Sequence, residues 1–215
     1  MSTFLQNHNG AVLACLLISL LGFVAFLLML QRPTSLIRTV AKTAAVAALS
    51  VMALAVDGPL LLIFALALSA LGDAFLAHEG QAAFLGGLGS FLMAHILYAV
   101  LFISSGPGFS LDVLPGLAAV VVFALVVGFV MVRGAGALAL PVAAYVLAIA
   151  CMGLGGVTLG GQVLAGVVLF MASDAILGTE KFLMTKDSPA RRASSIAVWV
   201  LYYSGQVLIT RGLLV

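Results

Sequence analysis

Charge is what this sequence has least of: Lys, Arg, Asp and Glu together make up 7% of its 215 residues, where an ordinary soluble domain carries roughly a quarter. So little charge cannot cover a water-soluble surface. The nine basic residues form no stripe able to follow a phosphate backbone, which argues against a nucleic acid partner. Cysteine is limited to Cys15 and Cys151, both inside apolar stretches, so a disulfide framework has no support. No H-E-x-x-H, C-x-x-C or G-x-S-x-G occurs, and His8, His78 and His95 are too dispersed for a recognisable zinc site. We expect no metal and no cofactor, with His95 plus two aspartates the one ligand set left open. Gly86-Gly87-Leu88-Gly89 and the glycines from Gly153 to Gly161 lack the following Lys-Ser/Thr of a phosphate loop and read as small residues for close helix packing.

Apolar residues, by contrast, make up 64% of the chain and fall in runs near twenty long. That length suits a helix crossing a hydrocarbon layer of ~30 Å at 1.5 Å per residue. In lipid every backbone N–H and C=O must be paired internally, and uninterrupted apolarity without two-residue alternation selects helices over a barrel. The first run, Ala11 to Met29, lacks a basic leader and a small-residue cleavage site and reads as a retained membrane helix. The expected fold is all-α: a polytopic membrane bundle of about eight helices in one domain, over 11–30, 36–55, 59–77, 83–104, 113–132, 137–153, 160–178 and 193–213.

The basic residues orient such a bundle. Arg32, Arg38, Lys42, Arg133, Lys181, Lys186, Arg191 and Arg192 all lie around odd-numbered loops, so a chain with both termini outside places eight of nine on the cytoplasmic side; Arg211 is the exception. An internal echo accompanies this pattern. Asp73-Ala74-Phe75-Leu76-Ala77-His78-Glu79 and Asp174-Ala175-Ile176-Leu177-Gly178-Thr179-Glu180 share D-A-x-L-x-x-E, 101 residues apart. Four helices between the copies make them parallel, as half-repeats over 1–108 and 109–215 would be.

A carboxylate within a membrane helix costs roughly 2.5–3.5 kcal/mol at mid-depth, so it usually faces the bundle interior and has work there. Asp73 and Asp174 fit that description at equivalent places in the two halves. Glu79 and Glu180 follow six residues later, roughly 240° around a helix, and read as solvated charges at the water boundary. His95, with Tyr98 at i+3, is read equally well as functional or as a satisfied core histidine. Lys42 is expected to snorkel or to serve as an aspartate's counter-ion. Tyr202 and Gln206 share a face of the last helix and Tyr145 lies in the sixth; each reads as a packing or inter-helix hydrogen-bonding residue. Asp57, before Gly58-Pro59, reads as a helix cap.

In order, Ser69 to Leu76, Gly89 to Tyr98, Ala172 to Leu177 with Lys181-Phe182, and Tyr202-Tyr203-Ser204-Gly205-Gln206 resemble the lysoplasmalogenase family of membrane proteins, known in bacteria as the YhhN family. The likeness spans the third to eighth helices. It implies a membrane hydrolase that cleaves the vinyl ether of a lysoplasmalogen, a lysophospholipid, into a fatty aldehyde and a glycerophospho-ethanolamine or -choline. Such a bond is cleaved by protonating its β-carbon, giving an oxocarbenium ion that water captures. The reaction therefore calls for a proton donor and a nearby negative charge, which two carboxyls in different environments can supply. Asp73, Asp174 and His95 are the expected catalytic residues; Lys42, Tyr98, Ser173, Lys181, Tyr202 and Gln206 are the expected substrate contacts, with Lys42 and Lys181 drawing the phosphate. The competing reading is a small proton-coupled carrier or channel using the same aspartates. Oligomeric state is not legible.

Overall fold

The structure, a computed structural model, describes residues 2–185 and 187–215, with side chains from residue 10 onward. Lys186, one of the basic residues that orient the chain, lies outside the described residues, as does the side chain of His8. Among the described residues eight α-helices follow one another: α1 (Ser2–Met29), α2 (Leu36–Ala55), α3 (Leu60–Leu76), α4 (Gln81–Ser105), α5 (Leu114–Gly134), α6 (Ala139–Leu159), α7 (Gly161–Phe182) and α8 (Arg191–Leu214). No strand occurs among the described residues. Seven of the helices are long and apolar enough to cross a membrane; α3 is apolar but has only 17 residues, about 26 Å at 1.5 Å per residue.

The ends of these helices carry identifiable stops. Ser35 caps α2, its hydroxyl accepting from the Arg38 N–H at 3.3 Å. Gly160 and Gly161, at φ +65° and +53°, turn α6 directly into α7 through backbone angles that a side chain resists. Asp57 does not cap α3. It sits at φ +53° in the turn that ends α2, where the Gly58 N–H donates to Ala53 O at 2.8 Å, so it closes the preceding helix instead of opening the next. α1 begins at Ser2, ahead of the expected 11, and two helices run at least four residues past their expected C-terminal ends. α6 continues six residues beyond 153 because Gly153, Gly155 and Gly156 lie against side chains of neighbouring helices, so these glycines serve packing and not a break. α7 continues to Phe182, which puts Glu180 and Lys181 on the helix.

The chain divides into two compact units, Met1–Leu97 with Thr210–Val215, and Tyr98–Ile209. In the first, α2 packs between α1 and α3. Small residues make this possible: a Cβ on Gly22 of α1 would lie 2.8 Å from Ala41 O of α2, and Ser19 donates to Ala45 O at 2.5 Å. Ser50 reaches Ile63 O across α2 and α3 (2.8 Å), and Ser90 reaches Leu68 O across α4 and α3 (2.7 Å). With lipid on one side and apolar side chains on the other, such hydroxyl-to-carbonyl bonds hold helices together where no hydrophobic force acts between them.

In the second unit α6 packs against both α5 and α7. α7 and α8 meet backbone to backbone at Gly166 and Gly205, where an added Cβ would lie 2.7 Å and 2.8 Å from the other glycine's carbonyl oxygen. Neither backbone can yield without parting the helices. Gly166→Ala is therefore expected to destabilise the folded protein by about 1–3 kcal/mol, measured by unfolding in mixed micelles, whereas Gly89→Ala, with open space around it, should leave stability near wild type.

Candidate functional site

Asp73 lies in the last turn of α3 and is 1% exposed. Its Oδ1 is 3.3 Å from Lys42 Nζ of α2, an ion pair whose side chains are only 2% and 12% exposed. A buried carboxylate without a cation would be costly, and α2 supplies one. Arg38, one turn earlier on the same face of α2, donates through Nη1 to Ala77 O at 2.9 Å and so satisfies a carbonyl at the end of α3. Both cations lie over the ring of Phe26 from α1, Arg38 at 5.1 Å and Lys42 at 5.5 Å from its centroid, and that buried ring holds them on the α3 side. Gly72, next to the aspartate, leaves room for the Phe91 ring of α4: a Cβ there would lie 2.6 Å from it. One turn on, His95 is fully buried, and its Nδ1–H donates to Phe91 O at 2.6 Å. This fixes the neutral tautomer, with Nε2 as the basic nitrogen.

Asp174, on α7 in the second unit, is half-buried. Its Oδ2 accepts from the Tyr145 hydroxyl of α6 at 2.6 Å. Its neighbour Ser173 donates to Val198 O of α8 at 2.9 Å. Tyr98 donates to Gln206 Oε1 at 2.6 Å, both fully buried. The Tyr202 ring stands edge-on to Phe170 at 5.2 Å and lies 5.9 Å from Trp199. Lys181 is exposed in the last turn of α7.

Several expectations change against this geometry. Lys42 does not snorkel to the rim as a free phosphate ligand; its ammonium is on Asp73. The hydroxyls of Ser173 and Tyr98 are spent on α8, where they join helices. Glu180 is not a solvated charge: it is 7% exposed and accepts from the hydroxyls of Ser194 and Ser195 at the start of α8, while Arg191 Nη2 donates to its backbone carbonyl at 2.9 Å. Burial of a carboxylate beside a helix N-terminus is stabilised by the serine donors and the helix dipole. Among the described residues, no three of His, Cys, Asp and Glu gather closely enough to hold a metal ion.

Tyr145, read from the sequence as a packing or inter-helix hydrogen-bonding residue, is the latter, joining α6 to α7. Its link to Asp174 was not read. Lys42 precedes Asp73 by 31 residues and Tyr145 precedes Asp174 by 29, so in each unit the aspartate is gripped by a polar side chain from the helix before it.

The sequence model of the YhhN family matches residues 37–213, a stretch that holds both aspartates and both of their partners. Human lysoplasmalogenase TMEM86B is 35% identical over 148 residues, which is 68% of this chain and 60% of that relative. The chain thus spans less than two thirds of that relative's length. No solved structure matches significantly. With its apolar helices and a family match over most of its length, this chain belongs to the YhhN family and is a multi-pass helical membrane protein.

Proposed function

We propose that this protein hydrolyses the vinyl ether of a lysoplasmalogen, releasing a fatty aldehyde and a glycerophospho-ethanolamine or -choline. The reaction class is that named for its human relative. The observation that carries the reading is that two carboxyls on apolar helices have partners of different charge: Asp73 an ammonium, Asp174 a phenol. The carboxyl facing a neutral hydroxyl is assigned to carry the proton delivered to the β-carbon. The carboxylate paired with Lys42 is assigned to stabilise the oxocarbenium ion that results. Water adds to that cation and loses a proton, and the hemiacetal collapses to aldehyde and alcohol. His95, with its basic Nε2, is a candidate acceptor for the water proton. Lys181, exposed at the end of α7, is the remaining candidate for the substrate phosphate.

The distribution of basic residues supports a cell-membrane protein with both termini outside and the aspartate ends of α3 and α7 toward the cytoplasm. The test is to incubate the purified protein in detergent with lysoplasmalogen, its alkyl-ether analogue and an acyl lysolipid, and to detect free aldehyde by mass spectrometry. Aldehyde from the vinyl ether alone supports the enzyme. No turnover of any lipid, together with solute uptake into proteoliposomes, would support the carrier instead.

A further inference from the structure

The mechanism uses Asp73 and Lys42 but not α1, and α1 is where the surroundings of that pair are set. From residue 10 onward the buried positions of α1 are Cys15, Ser19, Gly22 and Phe26, a spacing that keeps them on one face of a helix. This face meets α2 in antiparallel register: Ser19 bonds to Ala45 O, Gly22 lies against Ala41 O, and Phe26 lies beside Arg38 and Lys42. Cys15, Ser19 and Gly22 are small, as close helix packing in lipid demands. The one large side chain of the face falls where the two cations are.

Two places compete for the Lys42 ammonium, and this contact decides between them. Lys42 is about 9 Å along α2 from Leu36 at ~1.5 Å per residue, and a lysine stem can carry its charge toward water at the start of the helix. Asp73 offers a carboxylate but little water. Arg38 stands one turn nearer the helix start, held by Ala77 O at 2.9 Å, so an ammonium leaving in that direction approaches a second positive charge. The Phe26 ring centroid is 5.5 Å from the Lys42 nitrogen and 5.1 Å from the Arg38 guanidinium carbon, and the negative charge density over a ring attracts both. Phe26 is 3% exposed, so water does not screen the attraction. The ring favours the ammonium where it stands and, having no hydrogen-bond acceptor of its own, does not compete with Asp73. A leucine there would fill space and supply no such attraction.

We propose that Phe26 is a positioning residue of the hydrolysis site: its ring keeps the Lys42 ammonium on Asp73 and so fixes the carboxylate assigned to stabilise the oxocarbenium ion. Its effect on rate rests on the hydrolysis reading above, whereas the placement of Lys42 rests on the contacts alone. α1 thereby enters the site although it precedes residue 37, where the match to the YhhN family begins.

The test replaces Phe26 in the full-length protein with mono-, di- and trifluorinated phenylalanine, which drain charge density from the ring with little change of shape, and adds Phe26→Leu. Folding of each is checked by gel filtration, and two readouts are taken in detergent. One is acetylation of Lys42 by a short pulse of acetic anhydride, followed by mass spectrometry against the exposed Lys181; it needs no turnover. The other is kcat and KM for aldehyde release. Lys42 acetylation is expected to quicken with each fluorine and to reach about two- to thirtyfold in Phe26→Leu, the scale of a cation–π contact out of water. kcat should fall in the same order by similar factors, with KM little changed. Acetylation and kcat that stay at wild-type values through the fluorinated series, even beside an impaired Phe26→Leu, would mean that the ring only fills space and would overturn the proposal. So would faster acetylation at unchanged kcat in an active enzyme. A wild type that releases no aldehyde ends the hydrolysis reading and the catalytic role of Phe26 with it, while the acetylation series still decides whether the ring holds Lys42.

Discussion

Asp174→Asn is expected to lower aldehyde release from lysoplasmalogen by about 10²–10⁴-fold, the usual contribution of a positioned general acid, while the protein remains folded. Asn keeps the shape of the side chain and can still accept from Tyr145 through its amide oxygen, so the α6–α7 contact survives. What Asn lacks is a proton to give. Asp174 is only half-buried, so the amide replaces a group that is not tightly enclosed. Tyr145→Phe provides the comparison. It removes a neutral hydrogen bond worth about 0.5–1.5 kcal/mol, so kcat should fall roughly two- to tenfold with KM little changed, the signature of a residue that positions the acid. Steady-state rates of both variants in detergent check this. An Asp174→Asn protein that elutes as a folded species and turns over at the wild-type rate would remove Asp174 from the mechanism.

Lys42→Met should be the most destabilising of the single substitutions considered. It leaves the Asp73 charge facing apolar side chains with its cation gone, and breaking a buried pair from one end costs about 3–5 kcal/mol. The Lys42→Met/Asp73→Asn double variant removes both charges and should regain most of that stability, since a buried pair contributes little over neutral groups of similar volume. Activity is expected to follow a different rule and to be lost in the double variant as in Asp73→Asn. Unfolding in mixed micelles gives the stability cycle and aldehyde release gives the second readout. A double variant as unstable as Lys42→Met would mean that packing against Phe26, and not charge, is what Lys42 provides. A fully active double variant would end the assignment of Asp73 to cation stabilisation.

The helical architecture was legible because hydropathy is summed along one segment at a time. α2 occupies 36–55 as expected: Pro33 and Ser35 precede it, and Asp57 and Gly58 close it. The errors fall where one residue type has two uses. The glycines from Gly153 to Gly161 read as packing residues, and inside the second unit Gly153, Gly155 and Gly156 are where Phe102, Met171 and Val167 fit against α6; the error was to end the sixth helix at 153. Glu180 looked like a boundary charge because its donors, Ser194 and Ser195, belong to another helix, and no local pattern announces a partner fourteen residues away across a turn.

The two aspartates themselves could be picked out from the chain, since a carboxyl in twenty apolar residues is expensive wherever it ends up. Which partner each one takes was left open. Lys42 was equally at home at the lipid–water boundary or as an aspartate's counter-ion, and Tyr145 as a packing or a hydrogen-bonding residue; the turn of α2 toward Asp73 and of α6 toward Asp174 decides both. Composition and run length determine that the chain is a helical membrane protein, because solvation by lipid is imposed on each segment independently. The partner opposite each acid, an ammonium for Asp73 and a phenol for Asp174, arises only from how the helices rotate and approach one another, and that rotation is set by contacts between residues tens of positions apart.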